Sequence, residues 1–140
     1  MRYLAWLGVL PFILSILLVL SGLSLGEYSG SQIFTFYSVV ISSFMAGTLW
    51  GQALRSQAGQ HRNINLVISN FVALTAFFAL VFLAVGPLLL IMACCFSIIA
   101  ATERFIPLVC YDAIPEYYLQ LRYRVTTVVI ILHLILFSLV

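Results

Sequence analysis

From Ile64 to Ala101 the chain is apolar almost without pause. That run is too long for one membrane-spanning helix, which takes roughly 20 residues. Gly86-Pro87 divides it, because glycine permits a tight turn and proline suits the first turn of a new helix. The reading is a helical hairpin, residues 64–85 and 87–102. Two further apolar runs precede it, 3–25 (broken only by Pro11) and 33–54. A last one closes the chain. Pro115 suits the first position of its helix, and nothing from Tyr117 to Val140 breaks it. The expected fold is therefore all-α: a polytopic bundle of five transmembrane helices in a single domain, 1–140, with spans at 3–25, 33–54, 64–85, 87–102 and 117–140.

Composition agrees and excludes other classes. Of 140 residues, 64% are apolar and 7% charged, with mean hydropathy +1.20. A soluble domain is about half apolar and about a quarter charged. Disorder is excluded by the same figures, and nucleic-acid binding by the lack of a basic stripe among six scattered arginines. The first run has a longer apolar core than the roughly 7 to 15 residues of a signal peptide, so it is read as a span.

With five spans, Arg2, Arg55, Arg62, Arg104, Arg122 and Arg124 all fall on one side, and the other side carries Glu27. The positive-inside rule then puts the N-terminus in the cytoplasm and the C-terminus outside. The expected location is a bacterial inner membrane, or the mitochondrial inner membrane if the protein is organellar.

Two stretches stand out within the spans. Ser43, Gly47 and Gly51 recur every four residues, a small-residue ridge that lets helices approach closely in lipid. On the last helix, Tyr118, Arg122, Thr126 and His133 lie within about 80° of one another at 100° per residue. An ionisable residue such as His133 near mid-membrane must face the bundle interior, as a hydrogen-bonded neutral ring or as a functional group. Arg122 shares its face and is placed to reach inward to a carboxylate or an aromatic such as Trp50. Trp50, Tyr118, Arg122, Thr126 and His133 are therefore the candidate binding residues.

The carboxylates Glu27, Glu103, Asp112 and Glu116 all lie outside these spans, with Glu103-Arg104 read as a local pair. Cys94, Cys95 and Cys110 lack CxxC spacing. No catalytic motif, metal site or cofactor is expected, and the protein is not read as an enzyme.

Three elements resemble a known family: Tyr3 to Phe12 at the opening, Phe44-Met45-Ala46-Gly47-Thr48-Leu49-Trp50-Gly51, and Pro115-Glu116-Tyr117-Tyr118-Leu119-Gln120-Leu121-Arg122. Together they resemble an uncharacterised family of small five-span inner-membrane proteins of proteobacteria, with a mitochondrial transmembrane relative in animals. The resemblance implies topology and supplies no catalytic residues. By position it points to Gly47, Trp50, Gly51, Tyr118 and Arg122. Two functions remain: a non-catalytic accessory or assembly subunit partnered by other inner-membrane subunits or a second copy, or a lipid or quinone binder using the Arg122–His133 face.

Overall fold

The computed structural model describes residues 2–56, 59–106 and 116–140. Its elements run α1 (Arg2–Leu7), α2 (Leu10–Ser21), β1 (Ser24–Leu25), β2 (Tyr28–Ser29), α3 (Gly30–Arg55), α4 (Gln60–Phe82), α5 (Val85–Phe105) and α6 (Glu116–Leu139). Among the described residues four helices are long and apolar enough to cross a membrane: α3, α4, α5 and Tyr117–Leu139 of α6; a shorter apolar stretch, Ala5–Ser21, covers the end of α1 and all of α2. The chain is an all-α, multi-pass membrane bundle. Pro115, Asp112 and Cys110 lie outside the described residues.

The N-terminal run differs from the single span expected over 3–25. Pro11 has no N–H to donate to the preceding turn, and the helix breaks at Gly8–Val9. Val9 N–H turns back to Trp6 O at 3.0 Å, and Tyr37 of α3 donates its hydroxyl to Gly8 O at 2.9 Å. At the other end Gly22 adopts φ +66°, with Gly22 N–H bonded to Val19 O and Leu23 N–H to Leu18 O. This left-handed stop ends α2 at Ser21. The residues beyond pair instead in a small antiparallel ribbon, Ser24 with Ser29 and Leu25 with Tyr28, turning at Gly26. Ser29 then caps α3 reciprocally with Gln32.

The hairpin between α4 and α5 turns earlier than Gly86-Pro87. Leu83 and Ala84 are extended, and Gly86 and Pro87 lie in the first turn of α5, where no intrahelical acceptor awaits their nitrogens. At its other end α5 continues to Phe105, so Glu103 stands inside the helix rather than beyond it.

α3 is the centre of the bundle, packed on α2, α4 and α5, while α6 packs on α5, α1 and α2. The main core gathers Phe12, Phe34, Leu89, Met92, Phe96 and Leu136, all fully buried. The inward face of α3 is Ser38, Ser42, Ala46, Leu49 and Ala53. The expected ridge of Ser43, Gly47 and Gly51 lies one residue off that face: a Cβ added at Gly47 or Gly51 meets nothing within 4 Å. The glycine that permits a close approach is Gly30, whose added Cβ would stand 2.5 Å from Ser15 O and 2.8 Å from Val19 N.

Contacts gather the arginine-bearing helix ends together. Arg122, early in α6, reaches Thr48 and Glu103 late in α3 and α5, and Asn65, early in α4, reaches Ile106 O just past α5.

A candidate ligand crevice along the last helix

The polar stripe of α6 meets two different environments. Deep in the bundle His133 is wholly buried. Its Nδ1 lies 2.7 Å from Val129 O, one turn back, and its Nε2 lies 2.9 Å from Ser38 Oγ on α3. One tautomer of the neutral ring fits: Nδ1–H donates to the carbonyl, and Nε2 accepts from the Ser38 hydroxyl. The Ser38 oxygen also lies 2.8 Å from Phe34 O, so its single proton is shared between two acceptors. Phe34, Phe96 and Phe12 surround the ring, with centroids 4.8, 5.3 and 5.7 Å away.

Nearer the start of α6, Arg122 is the second node. Its Nη2 lies 2.7 Å from Glu103 Oε1 and donates to Thr48 Oγ1 at 2.8 Å. Thr48 in turn donates to Met45 O at 2.7 Å. One guanidinium thus ties three helices. Glu103, 4% exposed, meets Arg122 from the next helix rather than its sequence neighbour Arg104, which points outward. The expected inward reach to a carboxylate is met by Glu103. Trp50 is not part of this contact: it lies on another face of α3, half-exposed, beside Ser43 and Gly47.

Between these nodes lies a half-open crevice of about 290 Å³ bounded by α1, α2, α3, α5 and α6. That is close to the lower end of the ~300–1,000 Å³ range of small-molecule sites. Its polar wall is Tyr118, Arg122 and Thr126, and its apolar wall includes Gly8, Phe12, Met45, Phe96 and Val129. Three of the five candidate residues therefore share one cavity. His133 does not line it, because Phe12 and Phe96 stand on both sides of the boundary, touching the crevice and the imidazole.

Residues 1–138 match the family described as a protein of unknown function, DUF3429. The chain belongs to that family. No curated protein matches the DUF3429 chain, nor does any solved structure. Among its described residues, no group of three or more His, Cys, Asp or Glu side chains is placed to hold a metal ion.

Sequence reasoning missed Glu103, Thr48 and Ser38 as partners of the stripe. A buried acid is signalled only by a cation elsewhere that can neutralise it, and Arg122 stands on the next helix. Ser38 carried a weaker signal, since a serine one face away from the glycine ridge marks an alternative inward side of α3. A second groove lies beside the small-residue ridge, where a crevice is the alternative to helix packing. About 170 Å³ in volume, it lies between α3 and α4 and is lined by Ser43, Ala46, Gly47, Trp50, Ser69 and Asn70.

Proposed function

We propose that this chain is a non-catalytic integral membrane protein serving as an accessory or assembly subunit of a larger complex. We place it in a bacterial inner membrane, or the mitochondrial one if organellar, with the N-terminus in the cytoplasm and the C-terminus outside. The gathering of arginine-bearing helix ends supports that orientation.

The observation that carries the accessory reading is Asn70. It is exposed near the middle of α4, about 15 Å from either helix end at 1.5 Å per residue. Its Nδ2 donates to Leu66 O at 2.9 Å, a bond within its own helix that uses one of the two amide hydrogens and leaves the carbonyl oxygen unused. A polar amide facing hydrocarbon is costly, and in membranes such groups bond across to another helix. The groove beside it is lined by Ser43, Gly47 and Trp50, small or flat surfaces that admit a helix closely.

Native mass spectrometry of the protein gently extracted from its own membrane tests this. An assembly of different chains, well above 15.6 kDa, supports the reading, and Asn70→Leu then releases the partner while the chain stays folded. A monomer, or an assembly of identical chains only, contradicts it. A second reading, a lipid or quinone binder or carrier, draws support from the crevice along α6.

A further inference from the structure

The crevice has a wall whose chemistry narrows what it can take. Tyr118, Arg122 and Thr126 follow one another at four-residue intervals, about 6 Å apart along α6. Thr126 is 4% exposed, and among the described residues its hydroxyl has no hydrogen-bond partner. The Tyr118 hydroxyl has none either. Arg122 Nε is buried and likewise without an acceptor, although Nη2 of the same guanidinium is engaged twice. Arg122 Nε is closed off from the crevice, whereas Tyr118 and Thr126 line it with hydroxyls that are free to donate to a ligand acceptor.

Charge then selects the acceptor. Among the described residues Arg122 is the only charged one lining the crevice, and Glu103 already balances it at 2.7 Å. Arg104 and Arg124 are exposed and do not line it. A phosphate or carboxylate entering here would bring a second anion to a cation that already has one. A carbonyl oxygen would take a hydroxyl proton without that repulsion. The remaining wall, with Phe12, Met45, Phe96 and Val129, is apolar and suits a ring or a hydrocarbon tail.

We infer that the crevice beside Tyr118, Arg122 and Thr126 is a binding site for a neutral lipophile bearing carbonyl oxygens, a quinone or a diacylglycerol. The inference rests on the binder reading. The Tyr118 and Thr126 hydroxyls hold the carbonyl end, and the tail leaves along the apolar wall into the bilayer.

The test uses the full chain in nanodiscs of phosphatidylcholine, with three probes: a decyl-tailed benzoquinone, dioctanoylglycerol and dioctanoylphosphatidylglycerol. Occupancy is read by native mass spectrometry and affinity by the shift in melting temperature. At least one neutral probe is expected to bind one to one, and which of them does so identifies the natural source of the carbonyl. Thr126→Val then weakens binding about fivefold, the worth of one hydrogen bond, and Thr126→Ser restores it. His133→Leu leaves binding unchanged. Binding of the phosphatidylglycerol alone overturns the ligand class while leaving a binder. Binding of none of the three overturns both. Neutral binding that neither Thr126→Val nor Tyr118→Phe alters overturns the placement.

Discussion

The two ends of the polar stripe on α6 share a helix face and a periodicity, yet they are built differently. At the deep end His133 has both ring nitrogens engaged and three phenylalanines around it, with no exposed surface. At the outer end Arg122 is held by an ion pair on one side and lines an open crevice on the other. The difference comes from what α1–α3 lay over α6. Phe12 of α2, packed edge-on against Phe34 and Tyr37, closes the deep end. At the outer end α1 and the break at Gly8–Val9 wall a half-open crevice instead of sealing it. Helical periodicity decides which residues share a face, and the neighbouring helices decide whether that face is sealed.

Removing the seal should have the largest effect. Phe12→Ala deletes a fully buried ring and should cost about 3–5 kcal/mol in equilibrium unfolding of the protein in mixed micelles. It should also join the crevice to the His133 chamber, read as a larger cavity in a structure of the variant. Retained stability with the crevice unaltered would erase the distinction between the two ends.

Gly30→Ala comes next, at about 1–3 kcal/mol, because its Cβ would strike backbone atoms of α2 rather than a side chain that can turn away. It shifts the helix that closes the deep end. Gly47→Ala, on the open side of α3, sharpens the contrast. It should be neutral or stabilise the isolated chain by up to about 1 kcal/mol, since alanine is the better helix former and space is free. Equal losses at both glycines would contradict the assignment of the inward face.

His133→Leu should cost about 1–2 kcal/mol. It removes two hydrogen bonds averaging about 0.6 kcal/mol each inside membrane proteins and keeps most of the apolar contact with the phenylalanines. Ser38→Ala, which removes only the α3 side of that link, should cost about 0.6 kcal/mol in the same assay. A loss from Ser38→Ala as large as that from His133→Leu would mean the serine is held chiefly by something other than the ring.

Much of this organisation was legible in the sequence, and the losses have physical causes. Long apolar runs announce spans because lipid demands them. The stripe Tyr118–Arg122–Thr126–His133 is readable because polar residues are conspicuous in an apolar helix. Which side of α3 faces inward was harder to read. In lipid an apolar outer face looks like a core face, and Ser38–Ser42–Ala46 and Ser43–Gly47–Gly51 are equally small. The Glu103 partner was misread for a related reason. Arg104 is nearer in sequence, but neighbours along a helix point to different sides, and burial turned Glu103 toward α6. The early end of α2 depended on Gly22 taking a left-handed stop, a conformation glycine allows but does not impose.

The claim underlying the comparison is that Arg122 is bound into the bundle through Glu103, which both fixes the outer end of α6 and neutralises the crevice. A double-mutant cycle of Arg122→Met and Glu103→Gln, read by equilibrium unfolding, tests it most directly. A buried close pair predicts that either single change is strongly destabilising and that the two are coupled by at least about 1.5 kcal/mol, the double variant being less harmed than the sum. Losses that add to within about 0.5 kcal/mol would contradict it, because independent residues behave that way.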